Sequence, residues 1–145
     1  MALWVIYTAL TAICTGGLML FGMSGFDAIN HAFTTLATGG FSTQNASIAA
    51  YESPWIHWWL ILFMVIASGS FLLYVRWLYR KEGRFKPDEP LGGFLIAMVV
   101  STVLISLARW LSGETGFWHS ILGSAFQVAS IGSTTGFASE NYDKW

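Results

Sequence analysis

Three long apolar stretches dominate the pattern of hydrophobic and polar positions along this chain. They cover residues 2–21, 55–78 and 91–111. Each supplies roughly the 20 residues that an α-helix needs to cross a ~30 Å hydrocarbon core, at about 1.5 Å per residue. The pattern therefore predicts three transmembrane helices.

A shorter apolar segment follows the first long stretch, at residues 26–37, and another follows the third, at residues 117–131. Neither is long enough to cross a bilayer, and each runs directly into a cluster of glycine and threonine. We therefore expect two re-entrant half-helices that return as extended backbone, which is tolerated at membrane depth only inside protein or a water-filled cavity. Ser24 to Asp27 offer a capped start for the first half-helix.

The two clusters repeat one another. Residues 37–43 read Ala-Thr-Gly-Gly-Phe-Ser-Thr, and residues 133–139 read Ser-Thr-Thr-Gly-Phe-Ala-Ser. At an offset of 96 residues, without a gap, the coinciding pairs are Thr38 with Thr134, Gly40 with Gly136 and Phe41 with Phe137. The repeat predicts one ion path that is built from two similar turns of backbone.

These residue types suit a cation filter made of backbone carbonyls. Glycine allows the φ values that aim successive carbonyls at an axis, and threonine adds a hydroxyl oxygen beside them. Each half-helix would direct its partly negative C-terminal end toward the path, which favours cations. We predict a first filter segment of Thr38, Gly39, Gly40 and Phe41 and a second of Thr134, Thr135, Gly136 and Phe137, with both phenylalanine rings packed behind the backbone. A tight turn without an ion would explain one such string, but two copies after short apolar helices favour the filter.

Composition agrees with a membrane location. Hydrophobic residues make up 54% of the chain and charged residues 10%, whereas a soluble domain carries about 25% charged residues. Eight Trp, five Tyr and eleven Phe suit a protein with two lipid–water interfaces. The net charge of −1 provides no electrostatic footprint for nucleic acid, and the single Cys14 excludes an intramolecular disulfide.

The basic residues predict the orientation. Five of the seven lie close together: Arg76, Arg80, Lys81, Arg84 and Lys86. By the positive-inside rule, residues 79–90 form a cytoplasmic loop, and both filter segments open to the other side. Five carboxylates fall on that outer side: Asp27, Glu52, Glu114, Glu140 and Asp143. They form an acidic mouth that concentrates cations, or they are ordinary solvated loop residues.

The three histidines are isolated in the sequence, which argues against a metal site. We interpret His31 as a packed or hydrogen-bonded residue rather than an ion ligand. His57, among tryptophans, suits an interfacial aromatic belt. His119 carries no motif.

Two further positions allow functional interpretations. Ser70 could act as an intramembrane nucleophile, but no base partner is evident, and small residues in a span more often serve close helix packing. We expect Arg109 to extend to the outer lipid–water interface, with pairing to Glu114 as the alternative.

Residues 26–48, which contain Phe-Asp-Ala-Ile-Asn-His-Ala-Phe and the first filter segment, resemble the second pore repeat of TrkH-type potassium uptake proteins, in the Trk/Ktr/HKT superfamily. Residues 125–130 and 134–137 resemble the third. The resemblance implies four span–pore-helix–span repeats around one pore, with Gly40 and Gly136 as two of its filter glycines. It also implies a multi-pass protein of the bacterial plasma (inner) membrane, a homodimer, and a cytosolic nucleotide-binding ring as regulator.

The predicted fold is therefore an all-α integral membrane protein with about one and a half of four repeats. Residues 1–78 form a complete pore repeat, residues 79–90 the cytoplasmic loop, and residues 91–145 a second repeat that lacks its last span. Nothing matches the first or the fourth repeat, so we expect a partial sequence or a truncated gene product.

The expected function is transport of monovalent cations, with potassium uptake favoured by glycine at both filter positions. The potassium ion is then the transported substrate, and no cofactor and no enzyme activity are expected. The lipid bilayer and the remaining repeats would be the partners. Two alternatives stay open: a non-conducting fragment that only inserts and associates and, more remotely, a hydrolase that uses Ser70.

Overall fold

The computed structural model describes residues 2–69, 89–113 and 116–140. In this part of the chain the regular elements are five α-helices and one 3-10 turn. They are α1 (Ala2–Leu20), α2 (Gly25–Leu36), the 3-10 turn Ser47–Ala50, α3 (Pro54–Ser68), α4 (Glu89–Leu111) and α5 (Phe117–Gly132). The all-α prediction is confirmed, and the two shorter apolar segments that the sequence predicts as half-helices form α2 and α5.

Two of the predicted spans are long single helices. Length and composition suit Leu3–Leu20 of α1 and Gly92–Leu111 of α4 to crossing a bilayer, with mean hydropathies of 1.7 and 2.1. Only 22% and 17% of these windows are buried within the chain, so most of their apolar surface is left for lipid or for other protein. The second predicted span, residues 55–78, is described as a helix as far as Ser68 of α3. Its residues 70–78 lie outside the described residues, as does most of the basic loop.

The first half-helix begins where the sequence predicts. The backbone N–H of Asp27 donates to Ser24 Oγ at 3.1 Å, and the Ser24 hydroxyl donates to Asp27 Oδ2 at 2.8 Å. One side chain therefore satisfies an unpaired N–H of the first helical turn, and the carboxylate stands at the positive end of the helix dipole. The capped start is confirmed.

A glycine allows α1 and α3 to approach closely. The indole Nε1–H of Trp59 donates to the carbonyl oxygen of Cys14 at 3.1 Å. A Cβ atom on Gly17 would overlap the same indole ring. Cys14 and Leu18, on either side of this contact, are fully buried. The crossing therefore depends on the missing side chain at position 17.

The helices form two units that meet along α5. In the first unit, α2 packs against both α1 and α3, and in the second unit α5 packs against α4. The units join where α3 lies against α5, and there the His57 ring is 5.4 Å from that of Phe126, which is fully buried. This junction brings the C-terminal ends of the two half-helices together.

The α1–α3 crossing generates a stability prediction. We expect Gly17→Ala to lower the free energy of unfolding by about 1–3 kcal/mol, because the added methyl group must displace the Trp59 ring from a packed position. The measurement is thermal melting of the purified protein in detergent, followed by tryptophan fluorescence.

Gly16→Ala is the matched control, since no atom lies within 4 Å of a Cβ atom at this neighbouring position. Equal melting temperatures for the two variants would contradict the proposed dependence on Gly17.

Candidate functional site

The half-helices α2 and α5 end with the same backbone hydrogen bonds. At the end of α2, Thr38 N donates to Thr35 O at 3.1 Å, and Gly39 N donates to Thr34 O at 2.7 Å. At the end of α5 the corresponding distances are 3.0 Å and 2.9 Å, for bonds from residues 134 and 135 to Ile131 O and Ser130 O. Each pair is a Schellman motif, and the two motifs lie 96 residues apart, as the alignment of the clusters predicts.

Threonine occupies the left-handed position in both motifs. Thr38 has φ +50° and Thr134 has φ +60°, and the predicted filter glycines that follow have φ +65° at Gly40 and +85° at Gly136. A helix normally ends with glycine at this position, and a β-branched residue there is a conformational outlier. Such strain costs on the order of 1–3 kcal/mol, and it collects at functional sites, where the surroundings over-determine the backbone.

The two predicted filter segments contact each other through their backbones. A Cβ atom on Gly40 would overlap the carbonyl oxygen of Thr135 and would lie 2.9 Å from its carbonyl carbon and 3.1 Å from that of Gly136. Only glycine therefore fits at position 40, for reasons of both space and φ. No atom lies within 4 Å of a Cβ atom on Gly136, so only its φ requires glycine in this chain.

A buried histidine holds the first segment as it returns. His31 Nδ1 lies 2.7 Å from the carbonyl oxygen of Asp27, and Nε2 lies 2.9 Å from Ser42 Oγ. Because a carbonyl oxygen only accepts, Nδ1 carries the proton, and Nε2 accepts from the Ser42 hydroxyl. The imidazole is fully buried. The interpretation of His31 as a hydrogen-bonded packing residue is confirmed.

The phenylalanines of the two predicted filter segments occupy different environments. Phe137 is 2% exposed, and its ring centroid lies 5.8 Å from that of His31. Phe41 is 77% exposed. The expectation that both rings pack behind their segments is therefore correct for Phe137 and wrong for Phe41 within this chain. The physical reason is positional: Phe137 packs against the unit that precedes its own, and the described residues contain no unit before Phe41.

The loop that follows the first predicted segment also forms hydrogen bonds with the chain that follows the second. Ala49 N donates to the carbonyl oxygen of Ala138 at 3.2 Å, and Ala138 N donates to Ser47 Oγ at 3.2 Å. Ser130 Oγ, in the last turn of α5, donates to the carbonyl oxygen of Phe137 at 2.7 Å. These hydrogen bonds fix the two segments relative to each other as well as to their own helices.

The structure gives Arg109 an ion-pair partner that the sequence did not indicate. Its Nη2 forms an ion pair with Glu140 Oε2 at 2.6 Å, and the arginine side chain is only 10% exposed. Glu114, the partner considered as an alternative, lies outside the described residues. His119 Nδ1 lies 3.2 Å from the other carboxylate oxygen of Glu140. The pair is long-range in sequence, and no local motif indicates it.

A cavity of about 280 Å³ adjoins this ion pair. Its polar lining includes Glu52, His57, His119, Ser139 and Glu140. Two of the five carboxylates predicted for an acidic mouth therefore line one cavity, and His57 faces it rather than lying only in an aromatic belt. Across residues 2–69, 89–113 and 116–140, no group of three potential ligands is placed to bind a metal ion. Asp143 and Ser70 lie outside the described residues.

Comparisons with known proteins agree on one family. The family model named TrkH, described as a cation transport protein, matches residues 1–107. TrkH of Halomonas elongata is 36% identical over 99% of this chain, and TrkI of the same organism is 37% identical over 97%. TrkH of Escherichia coli K12 is 33% identical over 99%. This chain covers 30%, 28% and 30% of these three relatives, respectively.

A solved structure gives the same result for the fold. The crystal structure of the potassium transporter TrkH from Vibrio parahaemolyticus superposes with a TM-score of 0.90, at 31% sequence identity. The match covers 99% of this chain and 32% of that protein. The chain therefore spans about a third of the length of the relatives that it matches.

Hydrogen bonds to Asp27 generate a pH prediction. The hydrogen bond from Thr43 (2.6 Å to Oδ1) and then the one from Ser24 hold the pKa of this carboxyl below its ordinary value. The stabilisation is therefore complete above the ordinary pKa of about 4, and it is lost as the pH falls through the lowered value. We expect the melting temperature to fall on acidification below about pH 4, and Asp27→Asn to weaken this dependence.

Thr43→Val provides the matched comparison, because it removes the donor of the first of these hydrogen bonds. Its acid-induced loss of stability should be smaller than in the unsubstituted protein and should end at a higher pH, because the pKa of Asp27 in the folded protein then lies closer to its ordinary value. Parallel melting-temperature curves for all three proteins would show that Asp27 does not stabilise the first filter segment.

Proposed function

This chain belongs to the TrkH family of cation transport proteins, and we propose that it forms part of a pore for potassium uptake, with both filter segments lining the path. Its relatives are named as potassium uptake proteins and are transporters rather than enzymes. Because the chain covers about a third of their length, potassium transport by the complete protein is the proposal, and this chain supplies two of the filter's walls.

The single observation that carries the proposal is the repeated backbone of the two segments and their direct contact. A filter must present oxygens at fixed positions to replace the hydration shell of an ion. Identical Schellman motifs and positive φ values aim equivalent carbonyls alike. The contact of Gly40 with Thr135 then sets the spacing of the two walls. The C-terminal ends of α2 and α5 add partly negative charge, which favours cations.

The contacts between the units support closure into a ring. Gly40 of the first unit packs against the backbone of the second, and Phe137 of the second packs against His31 of the first. Each unit also has one half of this interface that no described residue fills. In the first unit this open half is the exposed Phe41, and in the second unit it is the empty space beside Gly136. A head-to-tail interface of this kind closes into a ring when its rotation permits. We therefore propose that further repeats fill both halves.

The wider assignment follows from the same proposal. Residues 1–78 and 91–145 are a complete and an incomplete pore repeat, joined by the cytoplasmic loop 79–90, and both filter segments face the outside of the bacterial inner membrane. Homodimer formation and a cytosolic nucleotide-binding ring are part of the proposal on family membership alone. The alternative of a non-conducting fragment predicts that both ends of the interface stay empty. The hydrolase has no support, because the relatives are transporters.

The first experiment is to read the coding sequence on both sides of this chain. Flanking repeats with their own filter glycines would support the pore, and stop codons or unrelated sequence on both sides would support the fragment. Potassium uptake by depleted cells that express the complete protein is the functional measurement.

We expect Gly40→Ala to reduce this uptake by about tenfold or more. A residue with a Cβ atom at left-handed φ costs about 1–2 kcal/mol, and 1.4 kcal/mol corresponds to a factor of ten. The overlap with the Thr135 carbonyl adds to this cost. If a ring closes, Gly136→Ala should be as damaging as Gly40→Ala, because the next unit then occupies the space beside it.

Gly132→Ala is the control, since a Cβ atom there makes only ordinary contacts of 3.6–3.7 Å with Phe94 and Met98. Normal uptake in the Gly40→Ala variant, at equal amounts in the membrane, would overturn the assignment of this segment as the filter.

A further inference from the structure

The two units hold the returning filter segment with different side chains. The offset of 96 residues places Gly123 opposite Asp27 and Ser139 opposite Thr43. In the first unit, the carboxylate of Asp27 on the half-helix accepts a hydrogen bond from Thr43 in the returning chain, at 2.6 Å. In the second unit, the half-helix has glycine at this position and cannot supply a carboxylate.

Arg109 and Glu140 occupy the space that a side chain at position 123 would fill. A Cβ atom on Gly123 would lie 2.5 Å from Arg109 Nη1 and 2.6 Å from Glu140 Oε1. Glu140 is the next residue after Ser139, so the second carboxylate stands on the returning chain rather than on the half-helix. It reaches across Gly123 to an arginine on α4. The carboxylate lies on the half-helix in the first unit and on the returning chain in the second. Both links nevertheless lie at the equivalent place in their units.

Ser139 lacks the hydrogen-bond partner that Thr43 has in the first unit. Its side chain corresponds to that of Thr43, it is 7% exposed, and its Oγ has no hydrogen-bond partner among the described residues. A buried hydroxyl without a partner is costly. The missing partner is the carboxylate that the first unit carries at the position of Gly123. This agrees with Glu140 having taken over the carboxylate's role from a neighbouring position.

We propose that Arg109 and Glu140 are positioning residues for the second filter segment, and that their ion pair replaces the Asp27–Thr43 link of the first unit. This inference rests on the proposed function, because the segment that they hold is the proposed filter. The pair joins the returning chain to the span α4 at 2.6 Å, with side chains only 10% and 21% exposed. Removing the charge of Glu140 removes the ion pair that joins the returning chain to α4, so the segment loses this means of holding its position.

The test uses the complete transporter that carries this chain, with three variants: Glu140→Gln, Gly123→Asp, and the two combined. Glu140→Gln breaks the ion pair. The combined variant moves the carboxylate to the position used by the first unit, within reach of Arg109 and Ser139. Gly123→Asp alone places two carboxylates beside one guanidinium. Ser112→Ala, at the end of the same span, is the matched control, because among the described residues its hydroxyl donates to the backbone carbonyl of Arg109 and to no side chain.

The readouts are the KM and the maximal rate of potassium uptake and the inhibition of uptake by sodium. We expect Glu140→Gln to raise the KM about tenfold, which corresponds to 1.4 kcal/mol of lost binding, and to weaken the preference for potassium. The combined variant should recover most of both. A role in stability alone would lower the maximal rate, through fewer folded copies, and would leave KM and ion preference unchanged.

Two results would overturn the inference: kinetics of Glu140→Gln equal to those of the unsubstituted protein, or a combined variant that regains thermal stability without regaining KM. If Glu140→Gln does not reach the membrane, Glu140→Asp and Arg109→Lys keep both charges and change only their reach. A raised KM in these variants supports positioning, and an unchanged KM overturns it.

Failure of the proposed function can be distinguished from failure of this inference. In that case the unsubstituted transporter takes up no potassium, whatever the state of the ion pair. Melting temperatures then test the exchange itself: a loss in Glu140→Gln that the combined variant restores supports the replacement of one link by the other. A loss that the combined variant does not restore overturns it.

Discussion

The contact between the backbone of Gly40 and the Thr135–Gly136 peptide is the constraint on which the rest of the site depends. Any side chain at position 40 would overlap the Thr135 carbonyl, so the two segments can lie this close only with glycine at position 40. Both half-helices end in the same left-handed turn, with positive φ at a threonine in each unit. The junction of α3 with α5 and the hydrogen bonds of the 3-10 turn keep these two strained ends in register.

The side chains around the segments do not repeat as the backbone does. His31, Ser42 and the Asp27–Thr43 link hold the first segment, whereas Ser130 and the Arg109–Glu140 pair hold the second. Equivalent backbone geometry is therefore reached by different hydrogen bonds and charges. This pattern is expected if function depends on the direction of the backbone carbonyls. Each unit then has to fix the same φ and ψ values, and different side chains can do this.

Sequence reasoning succeeded where the signal is local. Run lengths of apolar residues predicted α1, α2, α4 and α5, and the ungapped offset predicted that Thr38 and Thr134 would share a conformation. It did not identify Glu140 as a partner of Arg109, because Glu140 lies 31 residues away and the space over Gly123 exists only once α4 and α5 are packed. It also failed for Phe41, since the packing of that ring depends on a neighbouring unit and not on the ring's own segment.

The strained threonines connect these observations to function. A Schellman motif with glycine in place of Thr38 would relieve the strain, because glycine adopts left-handed φ without steric cost. Retaining threonine in both units keeps a hydroxyl and a stiff Cβ in each predicted filter segment, at an energetic cost that the surrounding contacts must offset. Since those contacts come from both units, neither segment is held by its own unit alone. In the proposed ring, further repeats would contact Phe41 and Gly136 as these two units contact each other, and the ring as a whole would fix the geometry of each segment.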